Sequence, residues 1–142
     1  MNYIKRIDYP FLPNNKLIRY VPKDDPFILI AKQFSKKYSK GKITPYAVVI
    51  VKEGRVIGSA ADRGEYEDGF KNHPVPFAIR DVDLKENPIE GADLYLWGHW
   101  WFCNDCWDVM NKARIKGVYL MEDSEILFNK DHPDNIIGRQ FE

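Results

Sequence analysis

Two cysteines separated by two residues are the clearest chemical signal in this sequence. Cys103 and Cys106 are the only cysteines of the chain, and they stand at the start of a segment with helical spacing of apolar residues. A helix N-terminus lowers the pKa of a cysteine, because the positive end of the helix dipole favours the thiolate that zinc requires. The pair therefore predicts a zinc site. A thiol redox pair and two reduced, metal-free cysteines are the alternatives.

A histidine thirty positions before Cys103 supports the zinc interpretation. His73 directly precedes Pro74 and is followed by Pro76, and this proline pair fits only the first turn of a helix, where the missing N–H groups would have no partner. By itself, a histidine at a helix start is more commonly a hydrogen-bonding residue. Two helix N-termini meeting over one sheet edge, however, would supply one His and two Cys ligands and leave zinc an open fourth position, which is typical of catalytic sites.

The first element that must support this site is a helix predicted to begin at Pro26. Asp24 and Asp25 precede it, and aspartate accepts hydrogen bonds from the N–H groups of a first turn. Helical spacing predicts one buried stripe, made of Phe27, Ile30, Ala31, Phe34 and Tyr38. The helix is predicted to end at Gly41.

Four short apolar runs predict strands, at 46–51, 56–60, 94–97 and 118–121. The first run has no polar alternation, which favours a strand covered on both faces, and a tight turn joins it to the second as a hairpin. Segments of helical character separate the later runs, and the helix after Cys103 is predicted to close at Gly117. This order predicts an α/β sandwich around a mixed sheet.

Length and composition predict one domain over residues 1–142, since 44% hydrophobic residues suffice for one core. Three prolines within residues 1–23 favour an N-terminal arm with little regular structure. Residues 24–123 form the predicted core, and residues 124–142 form a tail.

The charge balance argues against a polyanionic partner. Twenty-one Lys and Arg residues balance twenty-one Asp and Glu residues, so net charge gives no attraction to nucleic acid or to an anionic membrane. The first twenty residues contain no uninterrupted apolar stretch, which predicts neither a signal peptide nor a spanning helix. We expect a cytoplasmic protein with a small-molecule ligand.

From Tyr46 to Asp123 the chain resembles the cytidine and deoxycytidylate deaminases. Members of that superfamily bind zinc through a His-x-Glu at the start of one helix and a Pro-Cys-x-x-Cys at the start of the next, with a strand between them. The opening hairpin, the His73 helix, the strand at 94–97 and the Cys-x-x-Cys helix follow one another here in the same order. The resemblance implies an α/β fold that is a three-layer α-β-α sandwich with a mixed sheet of about five strands. It also implies that His73, Cys103 and Cys106 bind Zn²⁺, with water in the fourth position.

Three positions depart from the family pattern. Val75 stands where the family has the glutamate that carries protons from the zinc-bound water to the leaving amine. Phe102 replaces the proline before the first cysteine, and Asp62 lies near the place of a substrate-binding asparagine. A similar glutamate-to-valine change is a feature of the non-catalytic subunit of the eukaryotic heterodimeric tRNA adenosine deaminases. A zinc-binding member without catalysis is therefore a second interpretation.

Turnover would require another carboxylate, because general acid–base catalysis contributes typically about 10² to 10⁴ in rate. Glu67 and Asp68 are the preferred substitutes, and Glu65 and Asp105 are further candidates. Asp81 is less suitable, since its distance from Val75 turns it away from the pocket. Solvated surface charge is the alternative for all of these carboxylates.

The remaining candidates are a histidine and two tryptophans near the cysteines. His99 either joins the zinc site as a fourth, structural ligand or lies in a loop near the pocket wall. Trp100 and Trp101 either stack on a base, as substrate-binding residues beside Asp62, or pack in the core.

These signals lead to two main hypotheses. The first is a zinc-dependent hydrolase that deaminates a cytosine nucleoside or nucleotide with a substitute carboxylate. The second is a catalytically inactive protein of the same fold, with structural zinc, that serves ligand binding or subunit assembly. The resemblance also implies a homo-oligomer.

Overall fold

The computed structural model describes residues 18–39, 45–62, 73–100, 102 and 104–142. In chain order the elements are β1 (Ile18–Val21), α1 (Pro26–Tyr38), β2 (Ala47–Lys52), β3 (Arg55–Ala61), α2 (Pro74–Leu84), β4 (Asp93–Trp97), α3 (Asn104–Lys112), β5 (Gly117–Met121) and α4 (Ser124–Leu127).

The five strands form one mixed sheet in the order β1-β5-β4-β2-β3. Strands β1, β5 and β4 run parallel to one another, whereas β2 is antiparallel to both β4 and β3. Five of the six residues of β2 are buried, because the strand lies inside the sheet and is covered on both faces. The predicted hairpin is confirmed, and its turn residues Glu53 and Gly54 both have positive φ, which suits a tight two-residue connection.

Alternate side chains of the strands point into two separate cores. Val48 and Ile50 of β2 pack in the core beneath α2 and α3, whereas Val49 and Val51 pack in the core beneath α1. Residues that are neighbours along a strand point to opposite faces of the sheet, so both faces need a helical layer. The predicted three-layer α-β-α sandwich with a five-stranded mixed sheet is thus confirmed.

Helix α1 begins as predicted, but it buries a different face. The Oδ1 atom of Asp25 accepts hydrogen bonds from the N–H groups of Phe27 and Ile28, at 2.9 and 3.1 Å. Ile28 is fully buried, whereas Ile30 is 42% exposed, so the prediction that Ile30 belongs to the buried stripe was wrong. Tyr38, at 41% exposed, was misassigned in the same way. A shift of one or two positions turns a helical side chain far round the axis, and only the contact with the sheet fixes which apolar side chains face inward.

The same helix ends earlier than its sequence predicted. Its last residue is Tyr38, and Ser39 follows as the C-cap, with its backbone N–H bonded to the carbonyl oxygen of Ser35. Gly41, the predicted end, lies outside the described residues.

Strand β1 lies in the segment that was expected to be an irregular arm. Its four residues pair in parallel with Val118–Met121 of β5 at one edge of the sheet. A four-residue edge strand has little local signal, because its structure depends on hydrogen bonds to a partner about a hundred residues away. The rest of the predicted arm, residues 1–17, lies outside the described residues.

The predicted tail packs on the α1 side of the sheet. The rings of Phe128 and Phe141 each lie 5.3 Å from the indole of Trp97, one edge-on and one stacked. Phe128 is 5% exposed. Residues beyond the predicted core boundary therefore contribute side chains to the second core.

The prediction that helix α3 closes at Gly117 was wrong. The helix ends at Lys112, Arg114 takes the left-handed conformation with a φ of 62°, and Gly117 opens β5. A Cβ atom at Gly117 would lie 2.6 Å from Oδ1 of Asp93 on the neighbouring strand. A larger residue at position 117 would therefore require the Asp93 side chain to move. Among the helices of the described residues, none is both long and apolar enough to cross a bilayer.

Candidate active site

His73 lies where the proline pair predicted, at the N-cap of α2. Close packing of α2 on the sheet fixes this position. A Cβ atom at Gly58 of β3 would lie 2.4 Å from Cγ2 of Val82 and 2.7 Å from the carbonyl oxygen of Ala78. The helix can therefore approach β3 this closely only because residue 58 is a glycine.

Cys106 brings the second predicted ligand to the same place. It lies in the first turn of α3, it is 3% exposed, and its Sγ atom lies 3.4 Å from Nδ1 of His73. Zinc bond lengths of about 2.3 Å to sulfur and about 2.05 Å to nitrogen at tetrahedral angles place two such ligands ~3.6 Å apart. The spacing of His73 and Cys106 therefore fits a shared zinc ion. Cys103, the third predicted ligand, lies outside the described residues.

A small cavity of about 170 Å³ opens beside this pair. Its described lining consists of Tyr46, His73, Pro74, Val75, Leu96, His99, Phe102 and Cys106. Pockets for drug-sized ligands typically have about 300–1,000 Å³, so this cavity suits a single flat ring. Sequence reasoning missed Tyr46 and Leu96 as lining residues. The antiparallel pairing of β2 with β4 brings the start of β2 next to the end of β4.

The cavity wall contains a valine at the position that the family pattern assigns to a glutamate. Val75 is 2% exposed and lies in the first turn of α2. No carboxylate belongs to the lining among the described residues. At this position the wall therefore has a side chain that cannot ionise.

Two of the carboxylates considered as substitutes, Asp81 and Asp105, lie in the described part of the chain, and neither belongs to the described cavity lining. Asp105 is exposed. Asp81 accepts hydrogen bonds from the backbone N–H of Ser59 and from Nζ of Lys85, both at 3.1 Å, and so ties α2 to β3. The preferred candidates Glu67 and Asp68, together with Glu65, lie outside the described residues.

His99 lies in the cavity wall, as one of its two interpretations anticipated. Its Nδ1 atom accepts a hydrogen bond of 2.8 Å from the backbone N–H of Trp100. Burial lowers the pKa of His99 to about 4, with a smaller contribution from repulsion by His73. In the part of the chain that the structure describes, no three His, Cys, Asp or Glu side chains are grouped closely enough to hold a metal, so His99 does not complete such a group with His73 and Cys106.

Two of the three predicted substrate-binding residues, Asp62 and Trp100, are described, and neither belongs to the described cavity lining. Trp100 is 6% exposed and packs in the core beneath α1, which favours a packing role. Asp62 is buried, and its backbone N–H donates to the carbonyl oxygen of Tyr46 at 2.8 Å, but it does not belong to the described cavity lining. Trp101 lies outside the described residues. Phe102, in the place of the family's proline, does line the cavity and packs edge-on against Trp107.

Solved structures with a similar fold exist, although no family model and no curated protein matches the chain. A diaminohydroxyphosphoribosylaminopyrimidine deaminase/5-amino-6-(5-phosphoribosylamino)uracil reductase from Thermotoga maritima is 23% identical, with a TM-score of 0.52 over 66% of this chain and 28% of its own. The dCMP deaminase of the cyanophage S-TIM5 is 18% identical, with a TM-score of 0.50 over 69% of this chain and 82% of its own. A protein from work on tRNA:A34 deaminases is 24% identical, with a TM-score of 0.55 over 68% of this chain and 75% of its own.

These likenesses concern the fold, because all three identities are below a quarter. The chain spans only 28% of the length of the Thermotoga maritima protein, so that protein's further parts have no counterpart in the match. The descriptions of all three structures name deaminases, and each match covers about two thirds of this chain. The chain therefore has the fold of the cytidine and deoxycytidylate deaminase superfamily.

Proposed function

We propose that this chain is a zinc-binding protein of the deaminase fold whose cavity binds a cytosine nucleoside or nucleotide. The proposed reaction is hydrolytic deamination, in which oxygen from water replaces the amino group of the base and ammonia is released. The observation that carries the proposal is the 3.4 Å separation of His73 Nδ1 and Cys106 Sγ at the edge of a ring-sized cavity. The similarity of fold to a dCMP deaminase supports the choice of substrate class.

The proposed metal ligands are His73, Cys103 and Cys106. When bound, zinc would act as a Lewis acid and make hydroxide available from water at neutral pH. The chain itself supplies the cavity, in which Leu96 and Phe102 offer apolar surface to a flat ring and limit the access of water.

The reaction also needs a group that protonates the ring and the departing amine. Val75 cannot do this, so the proposal assigns the proton transfers to Glu67 or Asp68, which precede His73 in the sequence. The roles of Glu67 and Asp68 are proposed from their place in the sequence alone.

The second candidate function is ligand binding or subunit assembly without catalysis, with zinc in a structural role. One observation favours it, namely the apolar wall that Val75 makes where a deaminase needs a proton carrier. Under this proposal the cavity still accepts a base, but ammonia is not released.

Self-association and a cytoplasmic location are further parts of the proposal. Helix α1 exposes Leu29 and Ile30 at 40% and 42%, and adjacent exposed apolar side chains are compatible with a contact between copies of the chain. Light scattering of the purified protein tests the oligomeric state.

Zinc content and ammonia release, measured on one sample, test the proposal. Cytidine, dCMP, adenosine and guanosine serve as substrates, and wild type is compared with Glu67→Gln and Asp68→Asn. Asp105→Asn is the control, because Asp105 is exposed. Zinc with ammonia release that one of the two variants abolishes would support the deaminase. Zinc with nucleoside binding and no ammonia would support the second candidate, and a chain without zinc would refute both.

A further inference from the structure

The cavity beside His73 and Cys106 has room for little more than one ring. It holds about 170 Å³, and an apolar cavity of about 150 Å³ suffices for one benzene ring. Its described lining includes polar side chains, at Tyr46, His73, His99 and Cys106, and pyrimidines and purines both have polar atoms to meet them. The dimensions of the wall are then what separates a single ring from two fused rings.

The wall is closely packed where β2 begins and β4 ends. Gly98 has a φ of 98°, and a Cβ atom there would lie 2.4 Å from the carbonyl oxygen of Pro45 and 2.9 Å from Cα and Cβ of Tyr46. The rings of Tyr46 and His99 meet edge-on, with 5.1 Å between their centroids. These two lining side chains therefore support each other, and the segments that carry them are in close contact.

Phe102 closes the wall just before α3. It is the largest apolar side chain of the described lining, it is 4% exposed, and it shares the first core with Val75 and Leu96 of the same wall. Its ring meets the indole of Trp107 edge-on, with 5.0 Å between centroids, and Trp107 is itself 3% exposed. A ligand that pressed on Phe102 would thus have to displace a buried indole, and close-packed cores resist such displacement.

We propose that Phe102 is a specificity-determining residue that limits the cavity to a base with a single ring and so excludes purines. The inference rests on the proposed function, because it takes the ligand to be a nucleobase, and it names the side chain that selects the pyrimidine. The family pattern has a proline at this position, which is a smaller side chain. The restriction by a phenyl ring is therefore a property of this chain.

Calorimetric titration of the zinc-loaded protein with uridine and inosine tests the size limit. These nucleosides are the deamination products of cytidine and adenosine, so neither has an amino group to lose during the titration. Wild type should bind uridine about 5- to 150-fold more tightly than inosine, which is the cost of forcing extra atoms into a packed wall. Phe102→Ala removes a six-membered ring, so it should gain affinity for inosine and lose most of this preference. Phe102→Leu should lose part of it.

Phe128→Ala is the matched control. Phe128 is 5% exposed, and it lies in the second core and not in the described cavity lining. Its truncation should lower the free energy of unfolding, as that of Phe102 does, but it should leave the preference for uridine unchanged. A gain in inosine affinity in Phe102→Ala alone therefore separates contact with the base from a general loss of packing.

The outcomes separate the inference from the function on which it rests. Equal affinities of wild type for uridine and inosine would overturn the inference and leave the proposed reaction intact. An unchanged preference for uridine in folded Phe102→Ala and Phe102→Leu would overturn it as well. If zinc-loaded wild type binds neither nucleoside, the proposed ligand class fails and the inference fails with it.

Discussion

The Sγ atom of Cys106 lies 3.4 Å from Nδ1 of His73, although the two residues are 33 positions apart and begin different helices. Both helices pack on the same face of the sheet, and each presents its N-terminus to the cavity. A helix N-terminus favours negative charge, so two of them at one place favour a thiolate and the metal that binds it.

Replacing either of these ligands should remove the metal. His73→Ala and Cys106→Ser should each reduce zinc from one per chain to near zero, because two remaining protein ligands hold zinc poorly. Elemental analysis of the purified variants measures this, and Cys103→Ser should behave alike. Asp105→Ala is the matched control on the same helix. Full zinc occupancy in Cys106→Ser would contradict the site.

Restoring a carboxylate at position 75 should raise the rate of deamination. Val75→Glu places an acid in the first turn of α2 beside the cavity. If wild type has no proton carrier, as in the second candidate function, the variant should increase ammonia release from cytidine or dCMP by about 10² to 10⁴. If Glu67 or Asp68 already carries the protons, the increase should be much smaller. The variant should also be less stable than wild type, since Val75 is 2% exposed and a buried charge is costly. Val75→Gln, of similar size but unable to move a proton, is the control. Equal rates of ammonia release in folded, zinc-loaded Val75→Glu and Val75→Gln would contradict the assignment of position 75 to the proton-carrying glutamate of the family.

Gly98 should be far less tolerant of alanine than another glycine with positive φ. Gly91, at φ 83°, has no neighbouring atom within 4 Å of the place that a Cβ atom would take, so Gly91→Ala should cost only the backbone strain of about 1–2 kcal/mol. Gly98→Ala adds a clash with Pro45 and Tyr46 and should cost about 1–3 kcal/mol more. Urea denaturation of both variants gives the difference in the free energy of unfolding. Equal losses would mean that the 45–46 segment moves away at little cost.

Trp100 should matter for stability and not for the ligand. Trp100→Ala should lower the free energy of unfolding by about 3–5 kcal/mol, as expected for a large buried aromatic side chain. The affinity of the folded fraction for cytidine should stay unchanged, because Trp100 packs beneath α1 and does not belong to the described cavity lining. Phe102→Ala, which opens the cavity wall itself, is the contrasting variant. A weaker affinity in Trp100→Phe, which should fold well, would restore the base-stacking hypothesis.

The pH dependence of stability should contain a contribution from Asp93. Burial raises the pKa of this carboxyl, although Lys116, Arg19 and the N–H of Gly117 oppose the shift. The folded chain therefore binds this proton more readily than the unfolded chain, and the contribution to stability is lost as the pH rises through the folded pKa. Asp93→Asn should gain stability relative to wild type between acidic and neutral pH, measured by urea denaturation at both. A constant difference across that range would contradict the prediction.

The sequence by itself determined the local features of the site. The proline pair after His73 was enough to predict a helix start, because proline lacks an N–H and fits only the first turn. The strand at β2 and its hairpin followed from an unbroken apolar run and a glycine turn. Each of these signals depends only on residues a few positions apart in the chain, so the sequence alone could reveal it. Their order along the chain then predicted the α/β fold.

Only the tertiary structure decided where side chains with two equally good local roles would go. Trp100 lies on the α1 side and His99 in the cavity, because Gly98 turns the chain between the end of β4 and these neighbouring residues. The pairing of β1 with β5 and the choice of Ile28 over Ile30 as the buried residue of α1 depend in the same way on partners that are distant in the chain. Local periodicity cannot rank such contacts, because their free energy comes from packing against surfaces that form only when the sheet assembles.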